Sequence, residues 1–169
     1  MEARKGSQTP SHAVILPYTS SEGDEACRIY EMTGRTAQEW QRLLLTNILG
    51  KNDEGLWTHT KFGYAVPRRN GKNEVVAMRE LYGLREGEKI LHTAHRTTTS
   101  RSAWERLCQL LDDAGIEYKA TGALGQESIR LPCRDRTADM PRDDRKNADK
   151  GYIPLSAFFI AVNLRRTGF

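Results

Sequence analysis

The sequence predicts an α/β fold in which a partial parallel sheet is flanked by helices. From residue 61 onward, short strand candidates alternate with helical segments, an order typical of parallel strands covered by helices. Hydrophobic residues make up 38% and charged residues 28% of the 169 residues, a balance typical of soluble globular chains. The longest apolar stretch, 153–164, is too short to span a membrane.

The first part of the chain predicts an arm followed by two helices. Residues 1–20 contain prolines and several hydroxyl side chains, which indicates an extended arm. A first helix is expected over about 22–33, ended by Gly34. A second helix is expected to follow because Thr36 and Glu39 have capping-box spacing ahead of an apolar helical face.

The alternating segment runs from residue 61 to about 131. In chain order it predicts strand 61–66, a helix over about 72–82 ended by Gly83, strand 89–94, a helix with its N-cap within 97–100 and its end at Gly115, and short strands at 116–120 and 128–131. We expect strand 61–66 to lie beside strand 89–94, or one strand away from it, in the parallel sheet.

The chain changes character after residue 131. Between Cys133 and Lys150 lie six basic and five acidic residues with few apolar ones, which predicts a solvated charged loop. An apolar tail follows. The expected organisation is therefore an arm at 1–20, an α/β domain at 21–131, and an atypical charged loop and tail at 132–169.

Composition excludes several classes of protein and favours none strongly. The three cysteines are widely spaced and the four histidines do not cluster, which argues against a disulfide framework or a zinc site. The N-terminus has no apolar core of a signal peptide, so a cytoplasmic location is the default expectation. The net charge of +4 is compatible with a polyanionic partner but is weak evidence for one.

One motif carries chemistry, the polar loop between strand 61–66 and the following helix. Gly71 allows close approach of a phosphate, the next amides point at the anion, and Lys72 is placed to reach β- and γ-phosphates. The match to GxxxxGK[ST] is imperfect, since Val66 occupies the first glycine position and Asn73 the hydroxyl position. From the residues alone, a charged surface turn between a strand and a helix is the favoured alternative.

The segment 68–73, Arg-Arg-Asn-Gly-Lys-Asn, resembles the deviant Walker A motif of bacteriophage terminase large subunits, in which arginines replace the early glycines. The resemblance covers residues 8 to 131, and its strength is the order and spacing of several pieces. These further pieces are Ser20–Ala26, Trp40-Gln41 as an adenine-side motif, Ile90–His95, Ser102–Leu107 and Gly125–Ile129.

The resemblance implies a partial P-loop NTPase-like sheet that binds ATP and Mg²⁺. It further implies a place in the motor that couples ATP hydrolysis to translocation of double-stranded DNA into a procapsid, in the cytoplasm of the host cell. The implied partners are double-stranded DNA, the small terminase subunit, the portal protein and further copies of the chain in a homo-oligomeric motor, with no membrane partner.

The same resemblance assigns roles to the loop. Lys72 would neutralise the β- and γ-phosphates, while Gly71 and the amides of Lys72 and Asn73, with Asn70 beside them, would cradle the anion. Asn73 would also offer its carbonyl oxygen to magnesium. Arg68 matches the position of an arginine finger acting in cis, and it is the expected catalytic residue.

Three further assignments leave alternatives open. Arg69 is the second choice for the arginine finger and otherwise contacts the nucleotide. Gln41 would read the adenine edge. Trp40 would stack near the base, although it fits the apolar face of its helix equally well and is as readily explained by core packing.

The chain departs from this family in its hydrolytic part. An Asp-Glu pair after an apolar strand is missing, because the strand candidate 157–162 is followed by Asn163 and basic residues, and the acids of a nuclease domain have no counterpart. We therefore expect this chain alone to hydrolyse ATP slowly or not at all and not to cut DNA. Truncation, a frameshift and a fragment of a longer chain remain equivalent explanations.

Two other functions compete with this interpretation. The first is a non-enzymatic DNA-binding protein whose phosphate contacts come from a basic patch. The second is an inert remnant with an incomplete sheet. The basic patch would consist of Arg68, Arg69, Lys72, Arg96 and Arg101.

Overall fold

The computed structural model describes residues 6–67, 69–123 and 127–132, and its regular structure consists mainly of helices. The helices are α1 (Gly23–Glu31), α2 (Glu39–Ile48), α3 (Lys72–Arg85) and α4 (Thr97–Asp113). The strands are β1 (Ser20–Ser21), β2 (Gly50–Lys51), β3 (Lys119–Thr121) and β4 (Ser128–Arg130). The charged loop and tail are expected at 132–169, and every residue after 132 lies outside the described residues.

Helix α3 is the centre of the core. Helices α1 and α2 pack on each other and on α3, and α4 also packs on α3. Every residue of α3 from Val75 to Gly83 is buried, so the helix lacks a wide polar face and is surrounded by its neighbours. Its apolar partners on the flanking helices include Ile29, Leu45 and Leu110, all almost fully buried.

Helices α1 and α2 meet at a glycine. A Cβ atom built on Gly23 would lie 2.4 Å from the Cα of Thr46 and 2.9 Å from the carbonyl carbon of Leu45. The Ser21 hydroxyl, at the end of β1, donates to the Thr46 carbonyl over 2.6 Å and accepts the Gly23 N–H over 3.1 Å. The start of α1 is therefore held against the last turn of α2 at backbone contact distance.

The predicted end of α3 at Gly83 is wrong, because the helix continues to Arg85. The left-handed residue that ends it is Gly87, with a φ of 76°. The N–H of Gly87 donates to Leu84 O over 3.1 Å and that of Glu88 to Gly83 O over 2.8 Å, the two bonds of a Schellman motif. Gly83 instead leaves room for neighbouring side chains, since a Cβ there would lie 2.6 Å from Oε2 of Glu88.

The predicted capping box at Thr36 and Glu39 is also wrong. Helix α2 begins at Glu39, its N-cap is Gln38, and Gln41 Oε1 accepts the Gln38 N–H over 2.9 Å. The glycine predicted to end α4 is confirmed: Gly115 has a φ of 65° and its N–H donates to Asp112 O over 3.0 Å.

The strands of the described residues pair antiparallel, β1 with β2 and β3 with β4. The strand predicted at 128–131 is confirmed as β4, and that at 116–120 is displaced to β3. Neither 61–66 nor 89–94 forms a strand, since neither has a ladder partner within the described ranges. Exposure nevertheless alternates residue by residue along 61–67, the two-residue period of a strand. The parallel sheet stays a prediction.

Among the described residues, none of the helices combines the length and the apolar character needed to cross a bilayer.

Candidate nucleotide-binding loop

The loop before α3 has an unusual backbone. Arg69 has a φ of 66° and Gly71 a φ of 75°, and Arg69 is the one non-glycine residue with a positive φ within the described ranges. The left-handed region costs an ordinary side chain about 1 to 2 kcal/mol, so the loop holds Arg69 in a conformation that local preference opposes. Arg68, the predicted arginine finger, lies outside the described residues.

The loop opens directly into the N-terminus of α3. Gly71 is the N-cap, its carbonyl accepts the Glu74 N–H over 3.0 Å, and no side chain caps the helix. The first amides of a helix have no intrahelical acceptor and carry a partial positive charge. Lys72, the first helical residue, is half-buried, while Asn70 and Asn73 are exposed on either side of it. This arrangement has the features with which helix N-termini bind anions.

Gln41 is brought to the loop from the first turn of α2. Its side-chain amide Nε2 donates to the carbonyl oxygen of Gly71 over 3.2 Å, and its Oε1 accepts the Gln38 N–H over 2.9 Å. The residue is only 4% exposed. Gln41 thus lies beside the loop with its amide directed at backbone groups, and its role in nucleotide binding stays a prediction.

Trp40 lies at the edge of the core. It is half-buried, packs against the core cluster, and donates its indole N–H to Gln38 Oε1 over 2.7 Å. Its backbone N–H is 3.4 Å from Oε1 of Gln8, a residue of the predicted arm. Of the two interpretations left open for Trp40, these contacts favour packing over stacking on a base.

Tyr64 is a loop contact that the sequence analysis did not single out. Its hydroxyl donates to the carbonyl oxygen of Lys72 over 2.8 Å. Burial raises the pKa of Tyr64 far above its usual value, and the charge of Glu80 raises it further, so the phenol remains a neutral donor. The available signal was its place in the alternating segment 61–66, where even-numbered positions turn inward.

Glu74, in the first turn of α3, is fully engaged by neighbouring helices. Arg106 of α4 donates to both carboxylate oxygens, over 3.0 and 2.8 Å, and the Tyr30 hydroxyl of α1 donates over 2.8 Å. Burial alone would raise the pKa of Glu74, but the hydrogen bonds from Arg106 and Tyr30 lower it on balance. The carboxylate is therefore an ionised structural link between three helices.

The basic patch of the DNA-binding alternative is uneven. Arg69 and Arg96 are exposed, whereas Arg101 Nε is paired with Glu105 Oε1 at 3.1 Å within the same helix. Such an exposed pair is weak, so a nucleic-acid phosphate would compete with it at modest cost.

Several predicted site residues within the described ranges lie together at the start of α3, with Arg69 immediately before them in the chain: Gln41, Asn70, Gly71, Lys72 and Asn73. No family model, no curated protein and no solved structure matches this chain.

Proposed function

We propose that this chain is the nucleotide-binding part of a DNA-packaging ATPase of the terminase large-subunit type, and that its 68–73 loop binds the triphosphate of ATP with Mg²⁺. One observation carries the proposal. The left-handed turn at Arg69 and Gly71 leads into a helix start that no side chain caps, with Lys72 as the first helical residue. This is the combination of backbone donors and a cation that a phosphate requires.

The residues around the helix start have different proposed roles in binding the triphosphate and Mg²⁺. The amides of Lys72 and Asn73 bind phosphate oxygens, and the Lys72 ammonium neutralises the β- and γ-phosphates. Asn73 is exposed beside these amides and offers magnesium a carbonyl oxygen. Bound Mg²⁺ would neutralise further phosphate charge. Arg68 is assigned to the charge that develops on the transferred phosphoryl group.

The larger role is proposed from the resemblance of residues 8–131 to terminase large subunits. In that role the chain acts in the host cytoplasm, in a homo-oligomeric motor that moves double-stranded DNA with the small subunit and the portal protein. The supporting features are the loop described above and the order of the resembling pieces along the chain.

Calorimetric titration with ATP and Mg²⁺ tests the central claim. The Lys72→Ala variant should lose binding, with affinity reduced at least about a hundredfold, because a charge-assisted contact to two phosphates is removed. Lys119→Ala, at an exposed position of β3, is the control and should bind as the wild type does.

Two results would contradict the proposal. Unchanged affinity in Lys72→Ala would remove the loop from nucleotide binding. Nucleotide-independent DNA binding that falls steeply with salt, combined with no ATP binding, would favour the basic DNA-binding alternative.

A further inference from the structure

We infer that Gln41 and Tyr64 are positioning residues that aim the phosphate-binding amides, and that Gln41 does not read the adenine base. The inference rests on the proposed function, because it concerns the same loop. It replaces the expected contact between Gln41 and the base by a contact between Gln41 and the protein backbone.

The burial and hydrogen bonds of Gln41 leave little for a base. Recognition of an adenine edge requires an amide whose donor and acceptor both face the ligand. In this structure Gln41 is 4% exposed, its Oε1 accepts the Gln38 N–H over 2.9 Å, and its Nε2 donates to Gly71 O over 3.2 Å. Turning toward a base would break both bonds and leave the Gln38 N–H without its acceptor.

Tyr64 makes the equivalent contact one residue further along. Its hydroxyl donates to Lys72 O over 2.8 Å, so two consecutive carbonyls, of Gly71 and Lys72, are each held by a side-chain donor. The donors come from different parts of the chain, Gln41 from α2 and Tyr64 from the segment before the loop.

The planarity of the peptide unit converts these two contacts into control of the anion site. In a trans peptide the C=O of one residue and the N–H of the next lie in one plane and point in opposite directions. Holding the Gly71 carbonyl therefore fixes the direction of the Lys72 N–H, and holding the Lys72 carbonyl fixes that of the Asn73 N–H. These are the two amides assigned to the phosphates. Each points away from the side chain, Gln41 or Tyr64, that donates to the carbonyl of the same peptide unit.

Inorganic tripolyphosphate separates positioning from base recognition, because it carries the phosphates without a base. The test measures the affinity of tripolyphosphate and of ATP, each with Mg²⁺, for wild type and variants. Gln41→Glu keeps an acceptor for Gln38 but loses the donor to Gly71. We expect it to weaken both ligands by the same factor, about tenfold, which is the upper end of what one lost hydrogen bond between neutral groups contributes.

Matched variants separate the contact from added charge and from misfolding. Gln38→Glu introduces the same charge at an exposed position of the same helix start and should leave tripolyphosphate affinity within about twofold of wild type. Tyr64→Phe adds no charge and loses only the hydroxyl, and it should weaken both ligands equally, by about threefold to tenfold. Thermal unfolding of each variant establishes that it is folded. If Gln41→Glu does not fold, the affinities of Tyr64→Phe test the inference.

The outcomes distinguish this inference from the proposed function. Loss of ATP affinity with unchanged tripolyphosphate affinity in Gln41→Glu would make Gln41 a reader of the base and overturn the inference alone. Unchanged affinity of both ligands in Gln41→Glu and Tyr64→Phe would overturn it as well. A wild-type protein that binds neither ligand would overturn the proposed function and this inference together.

Discussion

The two ends of helix α3 are built differently. At its C-terminal end, Gly87 and Glu88 return their N–H groups to carbonyls of the last turn, and the Arg79–Glu88 ion pair is 2.8 Å long with side chains only 5% and 17% exposed. At its N-terminal end, Gly71 and Asn73 are exposed and no side chain caps the helix. One end satisfies its backbone groups within the protein, and the other presents donors to the outside.

If the proposed function holds, the same helix serves stability at one end and ligand binding at the other. Relative to a side-chain N-cap, the glycine at the start of α3 costs roughly a few tenths of a kcal/mol. The loss is offset by the buried run in the middle of the helix and by its closed C-terminal end. Substitutions at the two ends should therefore separate into those that change the free energy of unfolding and those that change ligand affinity.

The largest expected effect lies at the closed end. Glu88→Ala removes the carboxylate from the buried guanidinium of Arg79, and we expect it to lower the free energy of unfolding by about 3 kcal/mol. Glu105→Ala breaks the exposed Arg101–Glu105 pair and should cost less than about 1 kcal/mol. Urea denaturation measures both. Equal losses in the two variants would show that burial does not strengthen the closed end.

An intermediate effect is expected from two glycines with nearly the same backbone conformation. Gly71 and Gly87 have φ values of 75° and 76°, so an alanine at either position should cost about 1 kcal/mol of unfolding free energy. Only Gly71→Ala should also weaken tripolyphosphate binding, since its Cβ would lie 3.2 Å from Gln41 Nε2. Binding losses of the same size in both variants would contradict the division between the two ends.

The smallest expected effect is a pH dependence on the buried side of α3. The hydrogen bond from His92 Nδ1 to Glu80 Oε1, 2.6 Å long, raises the pKa of His92 above 6.5, although burial opposes it. The folded state therefore holds the proton more tightly than the unfolded state. This stabilisation is complete below the unfolded pKa and is lost as the pH rises through the folded pKa, by less than about 1 kcal/mol.

The corresponding measurement is the thermal midpoint across that pH range for wild type and His92→Gln. The wild type should lose stability as the pH rises, and the variant should show a flatter profile. The same slope in both proteins would assign the dependence to another group.

The sequence predicted the helices better than their ends. The apolar periodicity of α2 and α4 marked both helices because each has one buried face. The end of α3 was mispredicted because glycine has two uses that look alike in a sequence. Gly83 avoids a collision with Glu88, whereas Gly87 supplies the left-handed turn. Only the packing around each position separates the two uses.

The site was predicted in part. Local spacing was sufficient to place Gly71 and Lys72 at a helix start, because a polar glycine loop followed by helix formers is a local signal. The contact between Gln41 and Gly71 spans 30 residues of chain and was not predicted, since the resemblance implied only that Gln41 reads the adenine edge. Tyr64 was missed because its partner is a backbone carbonyl, which has no signature in the sequence. The strands predicted at 61–66 and 89–94 do not form within the described residues, because strand pairing depends on distant partners, and the parallel sheet stays a prediction.

The contact at Gly23 also sets how much sequence variation the protein tolerates. Glycine is a poor helix former, and by propensity alone an alanine at this position would stabilise α1 by up to about 1 kcal/mol. A Cβ at this position would instead meet the backbone of Thr46 at 2.4 Å, where no side-chain rotation relieves the overlap. Packing and propensity therefore oppose each other, and packing prevails. In a library that samples all amino acids along α1, position 23 should be the one that accepts no replacement without moving α2.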